Sequence, residues 1–260
     1  MTKIERNTNA GWVKPVCLEN NDNLIKIMNF YLLKTPCENT SSMSISLSNY
    51  KWNKDTCNRL FQALMECAGL VKNETYQIAC TIDEMSLVSN NVGFNNHFNK
   101  QRDINRLVLF HNKKKPLIYS LLFYIRCSFA HGRFAIYNDN NKTVYALEAI
   151  KNSSSRFMAV LSEELLLKWI EIIEGGPSKL LELEQKNINS HKMKILDLMA
   201  NSTSRITKTY ISSTLRIKIR ILNKVIKEMK KDNSIVYNNS KKQWEIIDDK
   251  QEYPNKRKLN

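Results

Sequence analysis

"YSLLFYIRCSFAHGRFAIY", Tyr119–Tyr137, decides how the middle of this chain is read. It is apolar for two turns, then places Arg126 and His131 five positions apart and breaks at Gly132. Pro116 suits the first turn of a helix and Gly132 a left-handed stop, so "PLIYSLLFYIRCSFAH" is predicted to be helical. Upstream, "QRDINRLVLFHN" reads as a further helix. Downstream, "GRFAIYNDNNKTVYALEAI" reads as a hairpin around "NDNN", and "SEELLLKWIEIIEGGPS" as a capped amphipathic helix closed by Gly175-Gly176-Pro177. The expectation is a helical module with one small hairpin over residues 83–186.

Outward from this module, both flanks carry a helix-rich pattern. Toward the C-terminus, "SHKMKILDLMANSTS", "ITKTYISSTL" entered from Ser204, and "KIRILNKVIKEMKKDN" have apolar residues at helical spacing. In the third, Ile219, Leu222, Val225, Ile226 and Met229 form one stripe. "SIVYNN" and "KKQWEII" then alternate around "NNSKK" as a hairpin. Toward the N-terminus, "NDNLIKIMNFYLLKTP" is a helix halted at Pro36. "NKDTCNRLFQALMECAGL" turns Cys57, Leu60, Phe61, Leu64 and Met65 inward, and "LVKNETYQIACTI" reads as a hairpin at Asn73-Glu74. The fold class expected is mainly α, divided into a winged-helix-like module at 17–82, the central helical module at 83–186, a basic module at 190–248 and a disordered tail at 249–260.

Composition narrows the function classes. The chain has 260 residues with a formal charge of +15. From His191 to Asn260 there are 17 Lys or Arg against 7 Asp or Glu, so net +10 lies in the last quarter. An excess of this size favours polyanionic partners, nucleic acid before membrane. The longest apolar runs fall well short of the roughly 20 residues of a bilayer crossing, and "MTKIERNTNAGWVKP" lacks the apolar centre of a signal peptide. A soluble, cytoplasmic chain without membrane contact is expected. Its six cysteines form no Cys-x-x-Cys pair and have no His at zinc-finger spacing. Reduced, mostly buried thiols are expected, with no metal and no cofactor. His97, His111 and His191 have polar neighbours and read as surface residues; Trp169 and Trp244 read as core, and Trp52 as a staple at a helix start.

The ending "RCSFAHG", at the close of an apolar helix and followed by a hairpin and a helix, resembles the HEPN superfamily. That family's signature is an Arg, four to six residues, then a His near a helix end. The resemblance covers the middle two fifths of the chain. It implies a metal-independent RNA endonuclease, acting as a homodimer, frequently a toxin or an antiviral-defence effector, with Arg126 and His131 catalytic and RNA as substrate. An antitoxin or a defence-complex partner belongs to that picture. The chemistry of the residues agrees. A guanidinium on an apolar helix is costly to bury without an anion, which a scissile phosphate supplies. An imidazole exchanges protons near neutral pH and can serve a 2′-hydroxyl or a leaving oxygen. Five residues along a helix correspond to about 7.5 Å and a rotation of about 140°, so one copy of the pair does not share a face; two copies across a two-fold axis bring both groups to one cleft.

This chain departs from the family at two places. Cys127 follows the Arg where many members carry Asn, Asp or His, and Arg133 stands where some toxins carry a Tyr two positions after the His. Arg133 is a candidate phosphate contact. Ser128 is a candidate substrate contact, the alternative being a hydroxyl bonded to its own helix backbone.

Three helices followed by a hairpin resemble a winged helix-turn-helix, whose third helix enters the major groove while the wing lies on the backbone. The resemblance assigns nucleic-acid binding to Arg216, Lys218, Arg220, Lys224 and Lys227 of the third helix and Lys241 and Lys242 of the wing, with DNA as the partner. A non-catalytic winged-helix regulator, whose central module only dimerises, is the alternative to the ribonuclease.

Overall fold

The computed structural model of the chain describes residues 21–37, 43–94, 105–111, 115–139 and 141–247. His97 and the expected tail at 249–260 lie outside them. The chain divides into two compact units, one through Leu180 and one from Leu181. More than half of the described residues are helical, which agrees in part with a mainly α class, but they also form a mixed five-stranded sheet and a separate two-stranded one. The expected small central hairpin is therefore only one edge of a larger sheet.

In the first unit, α1 (Asp22–Asn29) starts where the Asn21 side chain accepts from the Leu24 N–H. It runs on as a π turn, Phe30–Lys34, and stops ahead of Pro36, as expected. A 3₁₀ turn at Leu47–Tyr50 precedes α2 (Lys54–Cys67), which opens with reciprocal Asn53–Thr56 capping. Cys57, Leu60, Phe61, Leu64 and Met65 are its buried face, as the spacing predicts. A turn at Asn73, φ 67°, leads to β1 (Tyr76–Ala79), and α3 (Ile82–Asn91) follows with a Thr81–Glu84 capping box. Then come β2 (Arg106–Phe110), α4 (Leu117–Ala130), β3 (Phe134–Asp139), β4 (Lys142–Lys151), β5 (Ser154–Ser162) and α5 (Glu163–Asn201).

The sheet order is β1-β2-β5-β4-β3, parallel between β1 and β2 and antiparallel elsewhere. Two expectations are corrected here. "QRDINRLVLFHN" holds a strand, because β2 lies inside a sheet covered on both faces. Leu107, Val108 and Leu109 are all fully buried, and a strand in that position reads as an unbroken apolar run that periodicity does not separate from a helix. The same cause hid β5, whose "FMAVL" is buried throughout. The expected hairpin at Asn73-Glu74 is a tight turn, Tyr76 N–H to Val71 O at 3.1 Å, and its outgoing strand pairs with β2. The sheet thus spans position 82, where a boundary between modules was expected.

One face of the sheet packs on α3, through Met85, Val92 and Phe94 against Val108, Ala146, Met158 and Val160. The other face carries α4, which also meets the π turn and α2. Tyr31 stacks on Phe129 with centroids 5.8 Å apart. Trp169 is buried as expected and Trp52, read as a helix-start staple, is buried too, their indole N–H groups donating to the Leu64 and Ile173 carbonyls at 3.0 and 2.8 Å.

Helix α5 is interrupted at Gly176, with φ 68° and ψ −167°. That region is accessible to glycine alone, and a Cβ there would meet the Tyr50 carbonyl oxygen at 2.6 Å. Gly176→Ala is expected to cost roughly 1–3 kcal/mol in backbone strain before the clash is counted. Urea unfolding of the full chain measures this; an unchanged midpoint would show that the break carries no constraint.

The second unit contains the remainder of α5, then α6 (Lys208–Leu215), α7 (Ile219–Lys231), β6 (Ile235–Asn238) and β7 (Gln243–Ile246). Its core joins Ile195, Ile211, Leu222, Val225, Met229 and Trp244. The three helices and the hairpin follow the expected order, with three adjustments. The cap of α6 is Thr207, not Ser204; Arg216 sits in the α6–α7 turn with φ 52°; and Ile219 is 48% exposed, off the core stripe.

Candidate functional site

Helix α4 ends because of its sequence. His131 is the C-cap, Gly132 adopts φ 62°, and the Gly132 and Arg133 N–H groups bond the Phe129 and Ser128 carbonyls at 3.1 and 2.8 Å. This crossed pair of bonds is a Schellman motif, which requires a left-handed residue at the position of Gly132. It leaves His131 exposed at the helix end.

A cleft of about 600 Å³ runs along one face of α4. Tyr119, Phe123, Cys127 and His131 line it at four-residue intervals, with Ser120 and Tyr124 beside them. Its opposite wall comes from strand ends: Phe110 and His111 at the end of β2, Ala149 to Lys151 of β4, and Arg156 of β5. The cleft holds Lys115, Lys151, Arg156 and two histidines, and among the described residues that line it none is Asp or Glu. His111 Nδ1 lies 3.1 Å from Ser120 Oγ, so this imidazole belongs to the cleft and not to an open surface as expected. Arg156 is 8% exposed, with its guanidinium 4.7 Å from the Phe110 ring centre and its Nε without a hydrogen-bond partner among the described residues. Burial pushes the Tyr124 phenol up, opposed by the nearby Arg156 charge. Burial likewise raises the Cys127 thiol against the pull of Arg126 and Arg133.

The sequence-predicted residues fall in different places. His131 is in the cleft; Arg126 is half-buried outside its lining, its Nε also unpartnered among the described residues. The pair thus sits apart in one chain, as five residues of helix dictate. Ser128 is fully buried with its hydroxyl donating to the Tyr124 carbonyl at 2.9 Å, so the backbone-bonded alternative holds and it is not a substrate contact. Arg133 is half-buried and donates from Nη1 to the Ile150 carbonyl at 3.1 Å, which ties the helix end to β4. The sequence reading missed Lys115, Lys151 and Arg156. An arginine inside the apolar run of "SSRFMAVLS" is the one local signal; the others meet α4 only through strand register.

In the second unit Arg216, Lys218, Arg220, Lys224, Lys227, Lys241 and Lys242 are all exposed. Arg220, Lys224 and Lys227 share one face of α7, opposite the buried Leu222, Val225, Ile226 and Met229. Arg216 and Lys218 precede α7 and do not lie on it. In the hairpin, Lys241 pairs with Glu245 at 3.0 Å, and bonds from Asn238, Gln243 and Lys241 hold the Glu245 carboxyl down at about 2. Arg205 donates from Nε and Nη2 to the Lys242 carbonyl, fixing the turn that presents Lys241 and Lys242. His191 is half-buried, and burial, then Lys194, pulls its pKa down.

Of the described cysteines, Cys37 and Cys57 are buried, Cys127 is half-buried, and Cys67 and Cys80 are exposed, so fewer are buried than expected. Among the described residues no three His, Cys, Asp or Glu side chains gather to hold a metal, and no helix is long and apolar enough to cross a membrane. No protein-family model, curated protein or solved structure matches this chain.

Proposed function

We propose that this protein is a metal-independent RNA endonuclease of HEPN type, a toxin or antiviral-defence effector, whose second unit is a winged helix that binds nucleic acid. The supporting observation is the end of α4: an exposed imidazole in a cationic cleft whose described lining holds no carboxylate, one and a half turns after a half-buried guanidinium whose Nε has no partner among the described residues. The helical module of the resemblance is here laid on a five-stranded sheet, so the reading rests on the helix end and not on the whole unit.

The RNA's own 2′-hydroxyl is the nucleophile. His131 moves a proton to or from the reacting oxygens, and Arg126 stabilises the charge that develops on the phosphorane. Because Arg126 does not line the cleft that holds His131, the working site is composite, with Arg126 supplied across a two-fold axis. Light scattering at micromolar concentration is expected to give twice the chain mass, and the same sample is expected to cut single-stranded RNA and leave DNA intact. A monomer that cuts RNA contradicts the composite site, and cutting of DNA contradicts the nucleophile.

One observation favours a second reading, a non-catalytic regulator whose first unit only dimerises. In a single chain Arg126 and His131 do not open onto the same cleft. An RNA-inactive dimer that still binds duplex DNA through the second unit would establish it.

A further inference from the structure

The cleft extends well beyond His131. From Ser120 to His131 is eleven residues, about 16 Å of helix; Lys115 lies just ahead of α4, and Arg156 and Lys151 are on the facing strands. Arg156 is more than nine-tenths buried, points into the cleft among Phe110 and Tyr124, and has an Nε with no partner among the described residues. A buried, incompletely bonded guanidinium in a cavity whose described lining contains no carboxylate calls for an external anion. Between the cations runs the row Tyr119, Phe123 and Tyr124, giving ring faces at helical spacing. Alternating positive charge and aromatic surface matches a chain of phosphates and unpaired bases. A duplex hides its base faces and does not fit.

We propose that this cleft binds a single-stranded RNA segment on each protomer. Bases lie against Tyr119, Phe123 and Tyr124, phosphates rest on Lys115, Lys151 and Arg156, and the strand is led to His131. With about 3.4 Å per stacked nucleotide, 16 Å of cleft holds four or five nucleotides. That the strand is RNA rests on the ribonuclease reading; that it is a single-stranded polynucleotide rests on the cleft alone.

The test uses the full chain carrying Arg220→Ala, Lys224→Ala and Lys227→Ala, which weakens the second unit's basic surface, and a labelled 2′-O-methyl octamer, which has no free 2′-hydroxyl. Anisotropy is read across a salt series. Lys115→Ala with Lys151→Ala, both exposed positions, is expected to weaken binding at least tenfold at low salt and to reduce the log–log salt slope by about 1.4, about 0.7 per phosphate contact. Tyr119→Ala is expected to weaken binding about tenfold and leave the slope unchanged. Unchanged affinity and slope in the double-lysine variant overturn the proposal, whatever Tyr119→Ala does to stability. Equal displacement by an acidic peptide of the same charge also overturns it. If the octamer binds as stated while ordinary RNA stays uncut, the ribonuclease reading falls and the cleft assignment stands. If RNA is cut in an Arg126- and His131-dependent way with KM unmoved by the lysine changes, the cleft assignment alone falls.

Discussion

His131→Ala is expected to lower RNA cleavage by about 10²-fold or more, and Arg126→Ala by a similar factor. The first removes a general acid-base group, for which losses of about 10²–10⁴ are typical; the second removes a preorganised charge at the phosphorane, typically about 10²–10³. Neither change should unfold the chain. His131 is exposed at a helix cap whose bonds are made by backbone N–H groups, and the Arg126 Nε has no partner among the described residues that its removal would orphan. Single-turnover rates, with circular dichroism to verify the fold, decide the point. A mixture of the two inactive variants is a sharper form of the same experiment. If the site is composite, heterodimers carry one intact combination of Arg126 and His131, and activity returns. Absence of any recovery in verified heterodimers would place both groups on one chain's own site.

The second large effect is expected in duplex DNA binding by the other unit. If the seven exposed basic residues of α7, its preceding turn and the hairpin contact about six to ten phosphates, affinity falls about 10³–10⁵-fold between 50 and 200 mM salt. Arg220, Lys224 and Lys227 share one face of α7, and replacing all three with Ala should flatten the log–log slope by about 2.7. As exposed positions away from the core, these changes should move stability by no more than about 0.5 kcal/mol each. A slope that does not respond would return α7 to a solvated helix face and leave the unit without a nucleic-acid role.

Much of this was legible in the sequence because the signals were local. Pro36, Pro116 and Gly132 end or begin helices by themselves, and amphipathic spacing placed Cys57 to Met65 and Leu222 to Met229 inward. The sheet was hidden for the opposite reason. Its central strands β2 and β5 are buried on both faces, so they lack the alternation that marks a strand, and β2 finds both of its partners dozens of residues away. The site divides along the same line. His131 closes α4 within a motif that stands in the sequence, whereas Arg156 and Lys151 meet α4 only after β4 and β5 have paired. Ser128 stood between a substrate contact and a backbone-bonded hydroxyl because the packing of α4 on the sheet, which buries it, is not revealed by spacing alone.

The chemistry of the cut ends tests the central claim most directly. A guanidinium and an imidazole acting on RNA through its own 2′-hydroxyl must leave a 2′,3′-cyclic phosphate on one fragment and a 5′-hydroxyl on the other, at a rate that excess chelator does not change. Mass spectrometry of products formed by the full chain in chelator reads both fragments. These ends, formed at an undiminished rate, are the predicted result; a 5′-phosphate, or cutting that stops in chelator, would contradict the assignment of Arg126 and His131.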